Sequence, residues 1–253
     1  MPRLAAFPAG FSRDLVEGRM TLLKWIALAG QIEVDGIEVD PRFLESFESA
    51  YLRRVRQEAA ARSLKVAMVA HASDFSLPDP AARAEEVRKA RKILQVTAEL
   101  GGRCCRVLGG QGLGAGPGLA GAVDCVLELL PYAESTSVVM VVENPPAEGI
   151  LEGVKSPWFK VQYDPSKAAA AGEDPYGLLE RVLPRLAAVR VADRCLEGPV
   201  DGDRIFSRMA GAGFDGWVVL EGGAAKTVEL GLEGFRQGVR LLRARFARHF
   251  PKA

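Results

Sequence analysis

"VVMVVENPPAEG", residues 138–149, is the stretch on which the fold reading turns. A run of valines and one methionine leads into Glu143, and Pro145-Pro146 then stop the segment. Such a run is short, continuous and rich in β-branched residues, as a strand buried on both faces of a parallel sheet must be. An acid at the end of that strand has four uses open to it: to bind a metal, move a proton, hold a ribose, or pair with a neighbouring base.

Outward from this segment, short β-like runs alternate with longer helical patterns. The other candidate strands are Leu4–Phe7, Gly36–Val39, Lys65–Ala70, Cys104–Leu108, Phe159–Tyr163, Val189–Val191 and Trp217–Leu220. Helical periodicity covers Thr21–Ala29, Phe43–Arg62, Ala81–Leu100, Leu119–Ala133, Gly177–Leu186, Asp203–Ala212 and Thr227–Arg248. Asp79-Pro80 and Asp174-Pro175 combine a capping side chain with proline at the first helical position. After the fifth strand, "AEGILEGV" has room for about one helical turn, a shortened region. Alternating β and α units imply a parallel sheet, and eight of them suit a closed (β/α)8 TIM barrel forming a single domain over residues 1–253.

A barrel carries its site at the C-terminal ends of its strands. Those ends read Glu38, His71, Gly109, Glu143, Asp164, Asp193 and Glu221. Unpaired buried carboxylates are costly, so strands that repeatedly deliver an acid to one rim point to a ligand or catalytic site there. His71 has two readings, as a ligand for metal or substrate or as a hydrogen-bonded structural residue beside Ser73 and Asp74.

Composition narrows the function classes. With 33 basic against 32 acidic residues, no polyanionic partner such as a nucleic acid is implied. The longest apolar runs are strand-length, so no membrane association is expected and the cytoplasm is the expected location. Two histidines exclude a site built from several imidazoles. Adjacent Cys104 and Cys105 alternate on a strand, one toward the barrel interior and one toward the helices, as small core residues rather than a redox pair. The rival dinucleotide motif, Gly116-x-Gly118-x-x-Gly121 with Glu143 downstream, trails its strand by too long a loop to place a helix N-terminus on a pyrophosphate. The basic tail "RLLRARFARHF" bears an apolar stripe of Leu241, Leu242, Phe246 and Phe250, which fits the last barrel helix with a solvated face.

The ordered segments "GRMTLLKWIALAG", "VDGIEV", "SDFSLPDPAARAEEV", "AELGGRCCRVLGGQ", "VVENPP", "VQYDPSKAAAAGEDP", "VADR" and "GFDGWVVLEGG" span nearly the whole chain. In that order they resemble the sugar phosphate isomerase/epimerase group of the xylose-isomerase-like TIM barrels. The resemblance implies a small-molecule carbohydrate substrate, a homodimer, and one divalent cation, manganese or magnesium, held by two glutamates, an aspartate and a histidine. It places the acids on Glu143, Asp164 and Glu221, with Glu143 and Glu221 as the catalytic acid and base. The strand-seven histidine is absent: the segment reads Val189-Arg190-Val191-Ala192-Asp193. Lys167 and Pro145 stand where related members carry further polar residues, and the segment after strand seven is short. Apurinic endonucleases share the barrel but need a histidine-rich zinc cluster that two histidines cannot build.

These departures share a physical direction. Three acids in a small volume need positive charge. Arginine cannot become a metal ligand by losing a proton, and its rigid fork suits carboxylates. The expectation is therefore that no metal is favoured and that Arg190 and Lys167 compensate the acids. Glu38, Asp164, His71, Asp193 and Arg194 complete the candidate substrate-binding or charge-compensating set. The chain reads either as an isomerase or epimerase working by carboxylate proton transfer, or as a noncatalytic barrel that binds a small ligand or supports an active partner subunit. A lyase or dehydratase on the same site is the remaining alternative.

Overall fold

The structure, a computed structural model, describes residues 1–71, 73–107, 117–143, 147–192, 200–223 and 225–250. Strands β1 (Arg3–Phe7), β2 (Gly36–Val39), β3 (Lys65–His71), β4 (Cys104–Val107), β5 (Val139–Glu143), β6 (Phe159–Tyr163), β7 (Leu186–Ala192) and β8 (Trp217–Glu221) pair in chain order, all in parallel. β8 returns to β1 over the register Arg3–Trp217 to Phe7–Glu221 and closes the barrel. Parallel strands need crossovers, and helices supply them. They are α1 (Ser12–Val16), α2 (Leu22–Ala29), α3 (Ser49–Ala60), α4 (Pro80–Glu99), α5 (Pro117–Thr136), α6 (Ala147–Gly153), α7 (Pro165–Ala170), α8 (Pro175–Val182), α9 (Gly202–Gly211) and α10 (Val228–His249).

Three of the differences from the sequence expectation have a clear local reason. The helix expected from Phe43 begins at Ser49, because Asp40 accepts a hydrogen bond from the Arg42 amide at 2.9 Å and closes a separate 3-10 turn over Pro41–Phe43. β7 begins at Leu186 rather than Val189, since the small residues Ala187 and Ala188 extend the strand without a β-branched signature. The interval after β5 holds α6, seven residues and about two turns rather than one. Its glycines are contact residues: a Cβ at Gly149 would stand 2.8 Å from Leu119 and one at Gly153 2.7 Å from Val123, so their absence lets α6 lie close against α5. Even so, α6 is short beside the 20 residues of α4 and of α5.

The basic C-terminal segment is a barrel helix. In α10, Leu242 and Phe246 are buried, Phe246 packs on Phe206 of α9 at 5.7 Å, and Arg248 pairs with Asp203 at 2.7 Å. At its other end Phe235 meets Trp25 of α2 at 5.3 Å, fastening both helices to the barrel wall. Among the described residues no helix is long and apolar enough to cross a membrane. Cys104, Cys105 and Cys125 are free and buried, and burial pushes the Cys105 thiol up to about 12.

Register decides what faces the barrel interior, because paired residues in a parallel ladder point to the same side. Glu143 pairs with Gln162, Gln162 with Ala188, Ala192 with Glu221, and Glu221 with Phe7. Period two then puts Arg190 on this face, and the Ala70–Arg106 pair brings Arg106 to it from β4.

Candidate active site at the barrel rim

The inward residues near the C-terminal strand ends form one charged cluster. At its centre is the Arg190 guanidinium of β7, 4% exposed. Its Nη2 bonds closely to Glu38 Oε1, its Nη1 lies 3.2 Å from Glu221 Oε2, and its Nε makes a 3.5 Å ion-pair contact with Glu143 Oε1. The face of the guanidinium covers the Phe7 ring at 4.8 Å, within cation–π range. Burial lowers the Arg190 pKa, but Glu38, Glu221 and Glu143 outweigh it and raise the value, so the charge is locked in place.

Glu143, the last residue of β5, has three cationic neighbours. Arg106 Nη1 donates to its Oε1 at 3.0 Å, Lys167 Nζ makes a close ion pair with Oε2, and Arg190 lies alongside. Burial alone would raise the carboxyl, yet Arg106, Arg190 and Lys167 together hold it below its ordinary value. Arg106 also donates to Gln162 Oε1 at 3.3 Å, and its Nη2 stands 3.8 Å from Glu38. Glu38 is fully buried beneath the rim, with the Gln162 amide 3.5 Å away. Glu221 is the most accessible of these acids, its side chain 30% exposed and paired with Arg190.

Asp164 is placed by local chain chemistry. It caps α7, its Oδ1 accepting from the Ser166 and Lys167 amides at 2.9 and 3.0 Å, with Pro165 at the first helical position. Burial raises its pKa against those two hydrogen bonds. The cap also sets Lys167 in the first turn of α7, from which its half-exposed chain reaches Glu143.

The structure thus brings together Glu38, Glu143, Lys167, Arg190 and Glu221, with Asp164 beside them as a cap. It does not bring in His71. That residue pairs with Val107 while Ala70 pairs with inward-facing Arg106, so the imidazole turns outward. There it lines a groove with Phe47, Lys89, Lys92 and Ile93, and burial lowers its pKa. Asp193 and Arg194, together with Gly109 and Pro145, lie outside the described residues. Sequence reasoning missed Arg106 and Gln162. Counting by two along β4 from inward-facing Cys104, and along β6 from Lys160, would have found both.

The donor set does not fit a divalent cation. A metal between Glu143 and Glu221 would have to displace the Arg190 guanidinium, which touches both, and Asp164 Oδ1 is engaged by two backbone amides. Among the described residues no group of three or more His, Cys, Asp or Glu is arranged to hold a metal ion.

The model of the xylose isomerase-like TIM barrel family matches residues 26–245, and the chain belongs to that family. Among solved structures, a xylose isomerase domain protein from Planctomyces limnophilus superposes with a TM-score of 0.81 at 13% identity, covering 99% of each chain. D-psicose 3-epimerase from Clostridium cellulolyticum H10, with D-tagatose, gives 0.76 at 15% identity and 98% of each chain. The IOLI protein, with a bound zinc atom, gives 0.78 at 16% identity over 99% of this chain and 100% of its own. A comparison with curated protein sequences gives no match.

Proposed function

We propose that the chain binds a small keto-sugar or polyol at the C-terminal rim of its barrel and acts on it as an isomerase or epimerase, with fixed guanidinium and ammonium groups where its relatives place a cation. The observation that carries this reading is Arg190, whose guanidinium is in ion-pair contact with Glu38, Glu143 and Glu221 at once. An arginine so held presents preorganised positive charge to an oxygen that becomes anionic when a proton leaves the neighbouring carbon. Glu221 is the group suited to take that proton, being accessible and carrying one cationic partner among the described residues. It would return the proton on the same face to the neighbouring carbon, which isomerises the sugar, whereas inversion at the first carbon needs a second donor on the opposite face; Glu143, kept ionised by three cations, holds Arg106 and Lys167 in position. Epimerases among the structural neighbours support the reaction class.

A second reading follows from the same carboxylate. A Glu143 neutralised from three sides is a weak base, which favours a barrel that binds a sugar without turning it over. Solvent deuterium exchange into a panel of ketoses, followed by NMR on chelator-treated protein, separates the two. Exchange that persists without metal and disappears in Glu221→Gln supports the enzyme. Saturable sugar binding without exchange supports the binding barrel. Exchange that requires manganese bound at Glu143, Asp164 and Glu221 refutes the cationic substitution.

A further inference from the structure

The opposite mouth of the barrel carries the reverse pattern of charge. β1 begins at Arg3 and β3 at Lys65, Arg103 immediately precedes β4, and Lys160 is the second residue of β6. All four line one pocket of about 190 Å3 at the N-terminal ends of the strands, with Trp217 and Asp215. Period two along β1 and β6 places Arg3 and Lys160 on the interior face that carries Phe7 and Gln162 at the far end. Both lie close enough to Cys104, on the same wall, for their charges to act on its thiol.

Several surface cations elsewhere are paired. Arg243 lies 2.9 Å from Asp35, Arg248 2.7 Å from Asp203, and Arg181 2.6 Å from Glu173. Among the described residues, none of Arg3, Lys65, Arg103 or Lys160 has a carboxylate in ion-pair contact, although Asp215 borders the same pocket. Arg103 borders the cavity but turns its Nη1 to the Ser137 carbonyl oxygen, 3.5 Å away, which leaves three like charges, Arg3, Lys65 and Lys160, converging on it; they repel one another, and that cost is offset when an anion sits among them. Arg3 is further organised by stacking, its guanidinium 4.3 Å above the Trp217 ring.

Trp217 also makes this a site separate from the rim. Its indole lies across Gly36, where a Cβ would stand 2.9 Å from the ring and 2.5 Å from the Lys65 carbonyl oxygen, so only glycine at this position lets the ring cross the barrel floor. The pocket therefore ends on an indole instead of opening into the lumen. Its volume is below the roughly 300 Å3 at which drug-sized ligand pockets begin, which suits a compact ion. One guanidinium fork and two ammonium groups favour an oxyanion with more than one charge.

We propose that the N-terminal mouth of the barrel is a binding site for a small multivalent oxyanion of phosphate type, held by Arg3, Lys65 and Lys160 over the Trp217 ring. The shared chemistry is that of inorganic phosphate and of a phosphate ester, and the two are separate arms of the test.

Isothermal titration calorimetry of the full chain with inorganic phosphate, and separately with glycerol phosphate, at constant ionic strength tests it, with indole emission as a second readout. Saturable one-site binding is expected, weakened roughly tenfold or more in Arg3→Gln/Lys160→Gln, the usual loss when charge-assisted hydrogen bonds go, and unchanged in Lys167→Gln. Tighter binding of the ester than of phosphate would assign the pocket to phosphorylated metabolites, and the reverse to the free ion. Lys65→Gln alone, at an exposed position, provides the same comparison should the double variant fail to fold. No saturable heat with either anion, binding that survives both basic-site variants, or binding lost in Lys167→Gln, which would place the anion at the rim, overturns the proposal.

Discussion

Replacing Arg190 by methionine removes the cation at the centre of the cluster and keeps most of the apolar stem against Phe7. The cost is set by what is left behind. Glu38 is fully buried and, among the described residues, keeps only Arg106, 3.8 Å away, as a charged partner. Glu143 retains Arg106 at 3.0 Å and the close Lys167 pair, and Glu221 is accessible to water, so neither adds much. Breaking a buried pair from one side costs about 3–5 kcal/mol, and the remaining Arg106 contact argues for the lower end, about 3 kcal/mol. For a chain of this size that is a fall of roughly 6–12 °C in Tm. Removing the orphaned charge as well, in Arg190→Met/Glu38→Leu, recovers stability, because an apolar pair replacing a buried ion pair is close to neutral. Urea unfolding followed by circular dichroism on the wild type, both single variants and the double variant closes the cycle. A coupling energy of about 2 kcal/mol is expected. A loss below about 1 kcal/mol in Arg190→Met together with near-zero coupling would show that Glu38 does not depend on Arg190, and the account of the cluster would fall.

Three further outcomes follow from the same geometry. Asp164→Asn should leave stability at neutral pH unchanged or higher, since asparagine caps as well and the buried charge is gone, whereas Asp164→Ala loses about 1 kcal/mol in thermal unfolding; equal losses in both would show that the carboxylate charge is needed. Glu143 has a folded pKa below the ordinary 4.5, so its stabilisation is present above that value and drains away as pH falls through the lower folded one. The Tm difference between wild type and Glu143→Gln should therefore shrink below pH 4.5, and a pH-independent difference would contradict the ion pairs. Arg190→His removes the cation and supplies an imidazole between Glu143 and Glu221, so manganese binding by calorimetry should be stronger in that variant than in the wild type; tighter binding in the wild type would refute the donor-set argument.

The barrel was legible because its signal is local. β-branched runs mark the strands, and capping aspartates followed by proline mark helix starts, so β2 and β6 have the expected bounds and β8 differs by one residue. What escaped was whatever depends on a neighbour. The length of β7 rests on alanines that carry no strand signature of their own. α6 contains glycines that read as breakers until Leu119 and Val123 are seen to fill their space. Asp164-Pro165 is the same start signal as Asp79-Pro80, yet the family resemblance placed Asp164 among the ligands and its cap went unread. His71 ends its strand as expected, but strand ends do not say which face a side chain takes; only the Ala70–Arg106 register turns it outward.

One residue on β7 accounts for most of the rim's character. A guanidinium at residue 190 has five donors on a rigid plane and no means of losing its charge, so every acid within reach must orient to it. Glu38 does so from below, Glu143 from the side and Glu221 from above the rim. A metal ligand in the same place would leave the cation exchangeable with solvent, whereas arginine makes it part of the chain and ties the rim charge to the folding of β7. The added positive charge holds Glu143 below its ordinary pKa, whereas Glu221, with one cationic partner among the described residues and access to water, is the carboxylate to which the proposed proton transfer is assigned. That division between a fixed and a free carboxylate is a property of Arg190 more than of either glutamate.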